Sequence, residues 1–175
     1  IDNHYSAKKG VEYLIMMGHH KIACISGKSQ SPIFKARIMG HVETLKKWKL
    51  ANNEEYLIES DLAFIDGYNA AKQLLTLKNA PSAIVCHSDE AAVGALKAAR
   101  DLEVDVPQQL SIIGFDNLAL SEYCYPELTT IHQPRQLIGE TSIKLLLDIL
   151  SGKKPNPEMT LPTQLIVRES SCPPS

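Results

Sequence analysis

Leu110-Ser111-Ile112-Ile113-Gly114-Phe115 runs straight into Asp116-Asn117. An almost continuous apolar run stopped by a carboxylate and an amide reads as a strand buried on both faces. Ala83-Ile84-Val85-Cys86 stops in the same way at His87-Ser88-Asp89, and residues 21–26 (KIACIS) break at Gly27. Strands covered on both faces belong to parallel sheets held between helices, and ligands bind just outside the carboxyl ends of such strands. The polar residues collected at these strand ends are therefore placed to line one small-molecule site.

Outward from this strand, the chain alternates. A first helix is predicted over residues 4–17, capped by Asn3, with Ala7, Val11, Leu14 and Ile15 on one face and Gly18 as the stop. A second runs from near Pro32 to about Trp48, with Phe34, Ile38, Val42 and Leu45 turned inward. Residues 55–59 form a short strand, residues 66–77 a helix burying Ala70, Leu74 and Leu77, and residues 89–102 a further helix. Residues 118–127, with Tyr123, Tyr125 and Pro126, break the pattern as a loop, and residues 129–131 suit a short strand. Residues 134–150 form a strongly amphipathic helix, residues 153–158 a connection and residues 165–168 a last strand; the proline-rich tail after Cys172 is expected to fray. Strands alternating with helices predict a doubly wound α/β fold with a parallel sheet.

Composition narrows the function. The formal net charge of -2 over 175 residues leaves no basic footprint for nucleic acid, so any DNA contact must come from another segment. Cys24, Cys86, Cys124 and Cys172 show no zinc-type spacing and are expected as free thiols in a reducing compartment. No run is long enough to span a membrane and no signal peptide opens the chain. His19, His20, His87 and His132 share no metal-ligand spacing, and no nucleophile or acid–base pair stands out. Phosphate-cradling GxGxxG or GxxxxGK strings are lacking. Neither an enzyme nor a cofactor or metal is expected.

Four ordered stretches carry a family resemblance: Gly18-His19-His20-Lys21-Ile22, Ala36-Arg37-Ile38-Met39-Gly40, residues 110–117 (LSIIGFDN) and residues 128–135 (LTTIHQPR). Together they resemble the effector-binding domain of LacI/GalR-type transcriptional regulators. The strings Cys86-His87-Ser88-Asp89 and residues 138–148 (IGETSIKLLLD) are similar to a nucleoside-responsive branch of that family. The resemblance implies a two-lobed domain of the periplasmic-binding-protein-like type I, of which this chain holds mostly the C-terminal lobe. Residues 3–131 and 162–170 would form that lobe, and residues 132–161 a crossover and a helix of the N-terminal lobe. The DNA-binding domain would lie outside this chain.

The same resemblance implies a ligand site. Arg37 would grip ligand hydroxyls with its planar fork of donors, and Asp116 would accept hydrogen bonds from them. Ser88 and Gln133 would add polar contacts, whereas Asp89 is expected to organise the start of its helix. The family commonly places a stacking aromatic after the aspartate that Asp61 matches; here Leu62 holds that position, with Phe64 two residues on to take over the stacking. Val93, Tyr123 and Tyr125 would anchor a homodimer. The implied function is a cytoplasmic repressor that senses a small effector, a nucleoside or a sugar, and binds operator DNA through its missing domain. Two rivals remain open at this point: a periplasmic sugar-binding protein of a transporter, and an α/β hydrolase drawing on Asp61, Asp89 and Asp116.

Overall fold

The computed structural model describes residues 1–156 and 158–174. Its strands are β1 (Ile22–Ser26), β2 (Leu57–Glu59), β3 (Ala83–Cys86), β4 (Ser111–Asp116), β5 (Thr129–His132) and β6 (Gln164–Ile166). They form one sheet in the order β2-β1-β3-β4-β5-β6. The pairs from β2 to β5 are parallel, and β6 closes the edge antiparallel to β5. The helices are α1 (Asn3–Met16), α2 (Pro32–Lys47), α3 (Phe64–Leu75), α4 (Asp89–Asp101), the short α5 (Leu120–Tyr123) and α6 (Arg135–Leu150). The expected α/β class stands, with the antiparallel edge strand as the one departure from a parallel sheet.

Successive strand residues face opposite sides, and both sides are apolar. Ala23, Ile25, Ile84, Cys86 and Ile112 pack under α3 and α4, which bring Ala70, Leu74, Ala91 and Ala95. Ile22, Val85 and Ile113 pack under α1 and α2 with Val11, Leu14, Ile15 and Leu45. This two-sided demand is why the strand runs show no alternation of apolar and polar residues. The helix pairs close tightly through glycine: a Cβ on Gly40 would overlap the His4 carbonyl, and one on Gly94 would overlap the Phe64 carbonyl.

Three local expectations need correction. Asp2, not Asn3, caps α1, accepting from the Tyr5 amide at 2.9 Å. The inner face of α2 is Arg37, Gly40, His41, Thr44 and Leu45, while Phe34, Ile38 and Val42 are only partly covered. The supposed loop after β4 contains α5. Cys172, where the tail begins, is held: its amide donates to Ser111 Oγ at 3.1 Å and its carbonyl lies 2.9 Å from His19 Nε2. Pro157, within the expected connection, and Ser175, at the end of the tail, lie outside the described residues. No residue of α6 is buried, although its pattern is amphipathic. Among the described residues no helix is long and apolar enough to cross a membrane.

Candidate functional site

Parallel strands β1, β3 and β4 all point their carboxyl ends to one edge, and the polar residues predicted to collect there do so. Arg37 reaches that edge from α2 and is 5% exposed. Its Nε donates to Asn3 Oδ1 at 2.9 Å and its Nη1 to the His87 carbonyl at 2.8 Å. Its guanidinium carbon lies 3.5 Å from the centroid of the Phe115 ring. A planar cation held flat on an aromatic face and pinned at two nitrogens has little rotamer freedom left to lose on binding. Burial lowers its pKa to about 10, partly offset by the Asp116 carboxylate, so it stays protonated at neutral pH. Nη2 makes no hydrogen bond among the described residues.

Asp116 closes β4 with φ of +116°, and Asn117 follows at +53°, a left-handed turn that aims both side chains out of the sheet. Asp116 Oδ1 accepts from Gln133 Nε2; Oδ2 makes no hydrogen bond among the described residues. Burial raises the Asp116 pKa, opposed by the Gln133 hydrogen bond and by the Arg37 and Arg135 charges. Arg135, at the start of α6, donates to the Asp116 and Asn117 carbonyls, each at 3.0 Å. The edge thus presents one free cationic donor and one free carboxylate oxygen, each already steadied by the other bonds of its side chain. A group that both accepts and donates, such as a hydroxyl pair, complements them.

Three expected contacts are otherwise occupied. Ser88 caps α4, accepting from the Ala91 amide at 3.1 Å and donating to the Leu62 carbonyl at 3.0 Å, so its one proton is committed inside the protein. Leu62 adopts φ of +65° and its side chain packs into the core at 7% exposure. Phe64 lies on the outer side of α3, lining a groove of about 370 Å³ with Val93, Leu96, Tyr123 and Tyr125. The three residues expected to anchor a dimer therefore share one groove, and the candidate stacking aromatic shares it with them. Tyr123 and Tyr125 are 84% and 79% exposed.

Asp89 organises more than a helix start. Fully buried, its Oδ2 accepts from the Leu118 amide at 2.7 Å and its Oδ1 from the Thr130 hydroxyl at 2.6 Å. Burial raises its pKa to about 6 against those hydrogen bonds. His87 is buried with Nδ1 2.8 Å from Ser26 Oγ, and burial and the Arg37 charge hold it well below the usual histidine range. Sequence reading gives Asn3, Arg135 and the His87 carbonyl no site role, because they act through the position of Arg37 or of the turn.

A two-faced parallel sheet with a charged pair at its carboxyl edge defines a ligand-binding domain of the periplasmic-binding-protein kind. Residues 11–171 match the periplasmic binding protein-like domain family, and the chain belongs to it as a LacI-family effector-binding domain. The chain is 42% identical over 153 residues to the HTH-type transcriptional repressor CytR of Escherichia coli K12, covering 87% of this chain and 45% of that protein. It is 38% identical over 146 residues to the HTH-type transcriptional repressor PurR of Yersinia enterocolitica, covering 83% of this chain and 43% of that protein. The chain thus spans less than half the length of these curated relatives. Among solved structures, a sugar-binding LacI-family regulator from Escherichia coli complexed with phosphate superposes with a TM-score of 0.93 at 31% identity, over 99% of this chain and 63% of that one. The dimeric Lac repressor superposes at 0.94 with 27% identity, over 100% of this chain and 64% of that one. The strings around His87 and over residues 138–148, read as one branch of the family, accord with the similarity to CytR.

Proposed function

We propose that this chain is the effector-sensing part of a DNA-binding transcriptional repressor, cytoplasmic and homodimeric, that binds a nucleoside or a sugar between two lobes. The observation that carries this reading is the prepared pair at the sheet edge, Arg37 with its free Nη2 and Asp116 with its free Oδ2. Gln133, bonded to Asp116, is the third contact. Residues 3–131 and 162–170 form the C-terminal lobe, and residues 132–161 pass into the N-terminal lobe. Two facts support that division: α6 buries none of its residues here, and β6 returns antiparallel onto β5. The facing wall of the cleft and the operator-binding unit then belong to the rest of the protein. Val93, Tyr123 and Tyr125 form the dimer contact, and the relative known as a dimer supports an isologous pairing of this kind. Effector closure would alter how paired lobes present the DNA-binding units, a coupling typically worth ~1–3 kcal/mol. The protein binds without turning over its ligand, in keeping with relatives that are repressors.

Calorimetry on the full-length protein tests the site. Arg37→Ala and Asp116→Ala should each weaken binding of a nucleoside or sugar effector by ~1–3 kcal/mol, through loss of a charge-assisted hydrogen bond. Wild-type affinity in both variants would discard this pocket.

A further inference from the structure

Arg168 follows β6 and is nearly buried, with 10% of its side chain exposed. Its guanidinium bridges two parts of the β4–β5 connection, the Asp116–Asn117 turn and α5. Nη2 donates to Asn117 Oδ1 at 2.9 Å, in the turn that carries Asp116, and to Glu122 Oε1 at 3.0 Å, in α5. Nη1 donates to Ser121 Oγ at 3.2 Å, also in α5, and to the Leu128 carbonyl at 2.8 Å. The turn is further held by Asp89 at the Leu118 amide and by Arg135 at its carbonyls. Neither of those two side chains hydrogen-bonds to α5 among the described residues. Directly beyond Ser121 and Glu122 lies Tyr123, in the aromatic groove.

We propose that Arg168 is a positioning residue that locks the ligand-site turn at Asp116–Asn117 to α5, so that the turn and the aromatic groove move as one body. This rests on the reading of Asp116 as a ligand contact and of the groove as a dimer face. The chemistry requires arginine. A rigid fork with several donors grips both partners at once, whereas a lysine ammonium is a single point on a flexible stem. Burial of the fork makes a change on either side costly to accommodate on one side alone. A shift of the turn when a ligand engages Asp116 is therefore delivered to Ser121 and Glu122 through the fork, alongside the Ser121 hydroxyl, which donates to the Leu118 carbonyl at 2.7 Å.

Hydrogen exchange in the full-length protein tests this without any ligand. Asn117→Gly removes the Arg168 partner yet tolerates the positive φ of the turn. The reporters are the Cys124 and Leu128 amides, which donate to Leu120 and Ser121 carbonyls at 3.1 and 2.8 Å. Asn117→Gly and Arg168→Lys should each speed exchange at both reporters about tenfold, and the double variant no more than either single one. If Arg168 merely staples its own strand, Asn117→Gly leaves the reporters unchanged, and that result overturns the proposal even should Arg168→Lys fail to fold. Multiplying effects overturn it too, since Ser121 Oγ also lies 3.3 Å from Asn117 Oδ1 and would then be the link. Failure of wild-type protein to bind nucleosides or sugars would remove the effector reading and leave the exchange result standing.

Discussion

Asp89 opens α4 and Asp116 closes β4, and burial raises the pKa of both carboxyls, yet only one has an oxygen to offer a ligand. Asp89 spends both oxygens inside the protein. Its folded pKa of about 6 stands above the ~3.9 of an unfolded aspartate, so the folded state binds the extra proton between those values. Stability from this group is therefore fullest below the unfolded value and declines as pH rises toward 6. Asp89→Asn cannot titrate, and its unfolding free energy should lack that decline, a difference of about 3 kcal/mol between acidic and neutral pH. Urea unfolding of both proteins across that window measures it; equal slopes would remove Asp89 as the source. The sequence position of Asp89 announces a structural role, but its partners lie 29 and 41 residues away. Strand order and register decide those contacts, and neither is written in local pattern. Arg37 and Asp116 were legible because a family pattern marks them; Asn3, which steadies Arg37, was not.

At the scale of elements, periodicity located the helices well and their buried faces unevenly. The pattern in α2 pointed to Phe34, Ile38 and Val42, yet the covered face is built on Arg37, Gly40, His41 and Thr44. Counting apolar residues presumes that the inner face is greasy, and it misleads where that face lines a polar site and crosses α1 at a glycine. Helix α6 shows the reverse: its leucines are patterned for burial, yet none is buried and Leu137, Leu146, Leu147 and Leu150 stay exposed. Two glycines give a paired test of these helix contacts. Gly94 meets the backbone of α3 at Phe64 and Tyr68, which no rotamer change can relieve. Gly94→Val should cost about 1–3 kcal/mol or more. Gly139 in α6 has nothing within 4 Å of an added Cβ, so Gly139→Ala should stabilise by about 0.5–1 kcal/mol. Thermal unfolding should move in opposite directions for the two; a shared direction would contradict the packing described for one of them.

Three buried histidines tie the whole molecule to pH. His19 lies at the amino end of the sheet, with Nδ1 2.9 Å from Ser82 Oγ and Nε2 3.0 Å from Ser111 Oγ and 2.9 Å from the Cys172 carbonyl. His41 lies on the buried face of α2 against the Ile22 backbone, and His87 follows β3 at the carboxyl end. Burial lowers all three, His41 to about 4. A histidine lowered in the folded state binds its proton first in the unfolded chain. Its contribution is whole above the unfolded value of about 6.5 and is lost as pH falls toward the folded value. Asp89 and Asp116 act in the opposite sense, but His41 and His87 are both held neutral in the folded protein well below the pH at which they charge in the unfolded chain, so stability should fall from about pH 7 to about pH 5. His41 is the place to separate these contributions, since its buried Nδ1 has no hydrogen-bond partner among the described residues. His41→Leu removes that unsatisfied nitrogen along with the titration, so stability near neutral pH should change by about 1 kcal/mol or less. The acid loss should shrink by as much as about 3 kcal/mol at its low-pH end. Denaturant midpoints for both proteins over the same pH series decide it. An unchanged acid slope in His41→Leu would shift the acid sensitivity to His19 and His87, at opposite ends of the sheet.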